Sequence, residues 1–291
     1  TEKRRSPHTL SATARDLAIL GQSPEQLTHD NLRALLVSRR SKGAAPTSLA
    51  RLASSWRGYY QYLVDTGCIS SSPAQALKTP KKPARLPKVV SMDSLQAVLL
   101  KPFDPEQIEF CRAQVLVELL YFTGLRISEA TSLVWADQLA GNSSSTHWLC
   151  LDRKELQVLG KGGKSRIVPL VGVLVSRLRD WRELWSSKAG QLGLQPSSRL
   201  FNTLSGKVYS VRMAQADVER FGLVMNLGQH LHPHMLRHSF GSHVLQESQN
   251  LRGVQELLGH ASIASTQVYT SLDFKHLASV YDQAFPRSKK N

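Results

Sequence analysis

His232-Pro233-His234-Met235-Leu236-Arg237-His238-Ser239-Phe240 begins the stretch around which the rest of the chain is organised. Leu257-Leu258-Gly259-His260 and Ser265-Thr266-Gln267-Val268-Tyr269-Thr270 complete it. Pro233 suits the first position of a helix, where a missing N–H costs nothing. His234 and Arg237 then stand three apart and share one face of that helix. Gly259 reads as the residue just past a second short helix, which puts His260 on the turn. Ser262 to Thr270 reads as a further helical segment, carrying Tyr269 nine residues beyond His260. Two histidines, an arginine and a tyrosine are thereby expected on adjacent helix ends, and none of them is needed to fill a core.

With 291 residues the chain is long enough for two domains or one large one. No apolar run approaches membrane-spanning length. Three scattered cysteines, Cys68, Cys111 and Cys150, have no CxxC spacing, which points to a reducing cytosol and away from disulfides and zinc. The chain starts at Thr1 rather than Met, so residues of the natural protein are expected to precede it and a signal peptide cannot be judged. Lys and Arg outnumber Asp and Glu 37 to 22, a net charge of +15. The surplus is clustered at Lys3–Arg5, Arg39–Lys42, Lys78–Lys88, Lys161–Arg166 and Lys289–Lys290, as in a polyanion binder. No amphipathic stretch is basic enough on one face to favour a lipid surface.

In chain order, Ser6-Pro7 starts a helix with Leu10, Leu17 and Leu20 on its apolar face. Thr28 caps a second, with Leu32, Leu35 and Leu36 inward and Arg33, Arg39 and Arg40 outward. A third starts at Pro46 or Thr47 and carries Leu49, Leu52, Trp56, Tyr60 and Leu63 at helical spacing. That period assigns the aromatics to the core rather than to a base-stacking platform. Four prolines between residues 73 and 87 exclude helix or central strand, so 78–88 reads as a semi-rigid basic linker between domains at 1–77 and 89–291. Its Lys81 and Lys82 are positioned to oppose phosphates.

In the second domain Ser91 caps a helix with Leu95, Val98 and Leu99, and a longer buried helix spans about Pro105 to Thr123. Gly124 breaks it, placing Arg126 at the entry to a new helix with Glu129 in the first turn, where the macrodipole favours an anion. Read alone, Arg126 simply pairs with that glutamate. Trp148–Leu151, Leu156–Leu159 and Arg166–Leu170 read as strands, the last two flanking a Gly160-Lys161-Gly-Gly-Lys164 hairpin turn. The turn lacks the rest of a nucleotide-binding loop. Helices follow at Val173–Trp185 and Ser210–Met225, and a short terminal one at Phe274–Phe285. His230, His232, His234 and His238 form a dense patch, but their spacing matches no standard zinc site. His238 and His243 read as packing or DNA-side residues.

His234-x-x-Arg237, Gly259-His260 and Tyr269, with Arg126 in Thr123-Gly-Leu-Arg126 and Lys161 in the hairpin, resemble the tyrosine recombinase (phage-integrase-like) family. The tail from Leu272 to Arg287 is similar to its bacterial XerC branch. The resemblance implies a mainly α protein with a small antiparallel β-sheet: an N-terminal helical core-binding domain of SAM-like type and a C-terminal catalytic domain, closing as a C-shaped clamp. It implies strand cutting and rejoining by Arg126, Lys161, His234, Arg237 and His260, with Tyr269 as nucleophile. No cofactor is implied. Duplex DNA is the implied partner, and the basic clusters supply its candidate contacts: Arg39, Arg40, Lys42, Lys81, Lys82, Lys164 and Arg166. A XerD-like recombinase, an FtsK-like DNA translocase and a heterotetrameric synaptic complex exchanging C-terminal segments complete the set. Two alternatives stay open from the sequence: a type IB topoisomerase-like nicking-resealing enzyme, and a non-catalytic DNA-binding protein on the same fold.

Overall fold

The computed structural model describes residues 7–21, 23–79, 90, 94–95, 99, 101–138, 145–160, 163–227 and 230–248. The chain divides into two compact units, Thr1–Leu86 and Pro87–Asn291. No described helix is long and apolar enough to cross a membrane.

The first unit holds helices α1 (Pro7–Leu17), α2 (His29–Ser41) and α3 (Pro46–Asp65), with a 3-10 turn at Ala18–Leu20 continuing α1. Thr28 caps α2 as its side chain and Asn31 satisfy each other's backbone N–H groups. Pro46 takes the first position of α3. The stripe Leu49, Leu52, Trp56, Tyr60 and Leu63 is buried to the last residue, as its period requires. Trp56 Nε1–H donates to the Asp16 carbonyl at 2.9 Å and the Tyr60 hydroxyl to the Pro24 carbonyl at 2.6 Å. These rings therefore belong to the core, with their polar ends satisfied. Burial, with Tyr59 and Glu25 nearby, pushes the Tyr60 phenol up to about 12. Leu10 departs from expectation: it faces solvent at 56% exposure, and Leu20 is the residue of that set that is buried.

The second unit is built on α4 (Ile108–Thr123), introduced by a 3-10 turn at Pro105–Gln107. It is apolar all round and enclosed, with α6 (Gly172–Gln191), α7 (Val211–Val224) and α8 (Pro233–Ser248) packed on it. Its two buried charges are matched from those neighbours. Arg112 meets Asp217 of α7 at 2.9 Å, and Glu118 meets Arg177 of α6 at 3.1 Å. Gly124, with φ of 61°, ends α4 in the left-handed region. Arg126 then starts the short helix α5 (Ile127–Thr131).

Strands β1 (Val134–Trp135), β2 (Trp148–Cys150), β3 (Glu155–Leu159) and β4 (Ser165–Pro169) form one sheet in that order. β2–β3 and β3–β4 are antiparallel, the latter in register Leu159 with Ser165 to Glu155 with Pro169. β1 pairs parallel to β2, so the sheet is mixed rather than antiparallel. Two residues are too few to show a period in the sequence. β1 is held instead from outside, by Trp135 N–H to the Ser198 carbonyl at 2.7 Å. The helix expected after Ser91 lies mostly outside the described residues, though Leu95 and Leu99 are buried.

Candidate active site

The site is assembled where α4 ends and α8 begins. Because α5 starts at Arg126, the Arg126 backbone N–H is one of the donors no helix can satisfy. Glu129 Oε2 accepts it at 2.8 Å. The same carboxylate takes the Arg126 side chain, Nη1 to Oε1 at 2.9 Å. It also takes a two-pronged pair from Arg166 of β4, Nη1 to Oε1 at 3.0 Å and Nη2 to Oε2 at 2.8 Å. Burial drives the Glu129 carboxyl upward, but the hydrogen bonds and charges of Arg166 and Arg126 outweigh it and hold it below its ordinary value.

Arg237 approaches from α8. His232 caps that helix, its Nδ1 accepting from Met235 N–H at 3.3 Å, with Pro233 at the first helical position. His234 is exposed in the first turn, and Arg237, one turn on, is half-buried. Arg237 Nη1 donates to the Gly124 carbonyl, two residues before Arg126. Burial and then the Arg126 and Arg166 guanidiniums push the Arg237 side chain down to about 10, against a smaller opposing pull from Glu129. Three guanidiniums thus gather around one carboxylate. The local surplus of positive charge, at the N-terminal end of α8, suits a bound anion. Burial, then His234 and His238, lower the pKa of His232.

Arg126 and Arg237 are therefore brought together, and His234 is exposed one turn before Arg237 on the same helix. Lys161, His260 and Tyr269 lie outside the described residues, as do Lys81 and Lys82. Arg39, Arg40 and Lys42 are exposed at the C-terminal end of α2, and Lys164 is exposed beside β4. Arg166 corrects the expectation of a DNA contact: it is 7% exposed, and its guanidinium is occupied by Glu129. The inward alternation of Val168 is the signal that places Arg166 on the same face of β4. His243 is also inward, 3.0 Å from the Tyr121 hydroxyl, whose pKa burial raises. His238 is exposed. Among the described residues no three His, Cys, Asp or Glu side chains converge as metal ligands.

Residues 92–276 match the model of the phage integrase family, and residues 1–67 match that of the phage integrase N-terminal SAM-like domain. The chain is 40% identical to tyrosine recombinase XerC 1 of Ralstonia nicotianae, over 99% of this chain and 91% of that one. It is 42% identical to tyrosine recombinase XerC of Pseudomonas entomophila, over 100% and 94%. Its fold matches the site-specific recombinase XerH, crystallised on a palindromic difH substrate, with a TM-score of 0.64 at 19% identity over 97% of this chain and 77% of that one. Identity of this extent along both sequences assigns the chain to the phage integrase family: it is a tyrosine recombinase, an enzyme that cleaves and rejoins DNA strands.

Proposed function

We propose that the chain is a site-specific recombinase that cuts and rejoins duplex DNA through a 3′-phosphotyrosyl link on Tyr269. The observation that carries this reading is the convergence of Arg126 and Arg237 beside Glu129, with Arg237 anchored on the Gly124 carbonyl. A phosphodiester carries one negative charge, and its displacement spreads charge over the non-bridging oxygens. Two oriented guanidiniums meet those oxygens with paired hydrogen bonds, in the role a metal ion fills elsewhere.

A phenol with a pKa near 10 is a weak nucleophile at neutral pH and needs a base. Tyr269 attacks phosphorus, forming the P–O(Tyr) bond as the bond to the 5′-oxygen breaks. His234 takes the phenolic proton, His260 donates a hydrogen bond to the phosphate, and Lys161 protonates the departing oxygen. The phosphotyrosyl link conserves the bond energy, so a second DNA end reverses the step without ATP. Arg39, Arg40, Lys42, Lys81, Lys82 and Lys164 grip the backbone, which makes binding fall steeply with salt.

The similarity to XerC proteins supports a finer reading. The chain acts in the cytoplasm on a dif-like site, in a heterotetramer with a XerD-like partner and under an FtsK-like translocase, resolving chromosome or plasmid dimers. A nicked suicide duplex tests the chemistry: the full chain forms a covalent adduct on a denaturing gel, and Tyr269→Phe binds DNA but forms none. An adduct persisting in Tyr269→Phe would move the nucleophile elsewhere. A plasmid carrying two sites separates resolution from mere relaxation of supercoils, the outcome of topoisomerase action.

A further inference from the structure

Arg166 is not among the groups that meet the phosphate, yet its whole guanidinium edge is committed. The period of β4 sends it inward with Val168, and both prongs of its pair with Glu129 are buried, at 7% and 5% side-chain exposure. A buried ion pair is a poor device for stability alone, because desolvation of two charges offsets most of their attraction and apolar residues of similar volume serve as well. The geometry gives it another use. Each oxygen of Glu129 is shared: Oε1 between Arg166 Nη1 and Arg126 Nη1, and Oε2 between Arg166 Nη2 and the Arg126 backbone N–H. With Arg166 in place the carboxylate cannot rotate, so the direction in which it holds Arg126 is fixed.

We propose that Arg166 is a positioning residue for strand cleavage: acting through the shared Glu129 carboxylate, it aims Arg126 at the scissile phosphate and ties that aim to strand β4. The inference rests on the recombinase reading above. The segment joining β3 to β4 carries Lys161 in its sequence and leads directly into Arg166. Gly160 N–H donates to the Lys164 carbonyl at 2.7 Å across that segment. Gly160 also sits close to Arg166, since a Cβ there would lie 3.7 Å from Arg166 Nη1. The side chain that orients Glu129 therefore also lies against Gly160, at the end of β3.

The groups facing Glu129 are Arg126 at the start of its own helix, Arg166 from β4, Arg237 from α8 and His147 just before β2. Replacing Arg166 by glutamine removes the first of the cations that oppose the burial of Glu129 and leaves the burial in place. The carboxyl then protonates at higher pH.

The test uses the full chain on a nicked suicide duplex whose sequence the wild type has selected from a randomised pool. Single-turnover adduct formation is measured at saturating protein for the wild type, Arg166→Gln and Arg166→Lys. Arg166→Gln is expected to slow the step by ~100-fold, the effect of misplacing a group by about 1 Å, with DNA affinity almost unchanged. Its rate relative to wild type falls further as the pH is lowered from neutral towards the carboxylate range, and still does so in a His147→Gln background. Arg166→Lys keeps the charge but not the fork and recovers part of the rate. Rates within about twofold of wild type, or a loss confined to DNA affinity, would overturn the proposal. If Arg166→Gln does not fold, Arg166→Lys decides: a folded protein with wild-type rate and pH profile refutes the positioning role. A wild type that forms no adduct on any duplex sinks the strand-transfer reading itself, whereas an adduct unaffected by Arg166→Gln sinks only this one.

Discussion

Substituting one hydrogen by a methyl group, in Gly222→Ala, tests how α7 sets the active-site helix. Gly222 stands in the last turn of α7, and a Cβ built there lies 2.4 Å from Leu231 Cβ and 3.4 Å from its backbone nitrogen. Carbon atoms in good contact are about 3.5–4.0 Å apart, so the two segments must separate by roughly 1 Å. Leu231 is 1% exposed and immediately precedes His232, the cap of the helix that carries His234 and Arg237. Glycine to alanine inside a helix ordinarily gains roughly 1 kcal/mol, so the sign of the result is diagnostic. Overpacking of this kind costs up to about 3 kcal/mol, leaving a net loss of about 2 kcal/mol. In urea, where the slope is on the order of 2 kcal/mol per molar, the midpoint should fall by about 1 M. Single-turnover cleavage should slow by ~100-fold if α8 moves by the separation required. An unchanged or raised midpoint with wild-type cleavage would show that the contact yields freely, and the account of how α8 is seated would fail.

Glu129→Gln leaves three neighbouring guanidiniums without their carboxylate and should cost about 3–5 kcal/mol at neutral pH, read by chemical denaturation. Because the folded-state pKa of Glu129 is depressed, its stabilisation is present above the ordinary carboxylate range and is lost as pH falls through the folded value. The wild-type and variant stability curves should therefore converge in acid, and parallel curves would refute the assignment. In the first unit, Trp56→Ala should remove about 3–5 kcal/mol, because the ring is fully enclosed and hydrogen-bonded to Asp16. A variant that keeps its thermal midpoint but loses DNA affinity would instead make Trp56 a base-stacking residue.

Periodicity made most of the helical framework legible before any coordinates. The stripe from Leu49 to Leu63, the uniformly apolar run now seen as α4, and the Pro233 start of α8 each carry their structural reason in residue type and spacing. The β3–β4 hairpin was equally readable from alternation and its glycines, and Gly163 does adopt a positive φ of 78°. What escaped were features defined by partners far away in sequence. β1 has two residues and owes its place to Ser198 and His147, which no local pattern announces. Arg166 looked like one more member of a basic cluster, because charge counting ignores which face of a strand a residue occupies. Read with the alternation of Val168 it turns inward, and only the fold supplies Glu129 as the reason it can stay there. His232 passed as one histidine among several, although its position just before Pro233 is where a helix needs an acceptor.

The break at the end of α4 has one further consequence. Gly124 offers its carbonyl to Arg237, and two residues later the Arg126 backbone is clamped by Glu129. The tripeptide Gly124-Leu125-Arg126 is thus a molecular ruler: its length sets how far apart the anchor points of the two cationic arms lie. Lengthening or shortening surface loops elsewhere leaves that spacing intact. Adding or deleting even one residue here would throw both arms out of step with a single phosphate, so this segment is closed to length variation in any working descendant of the chain.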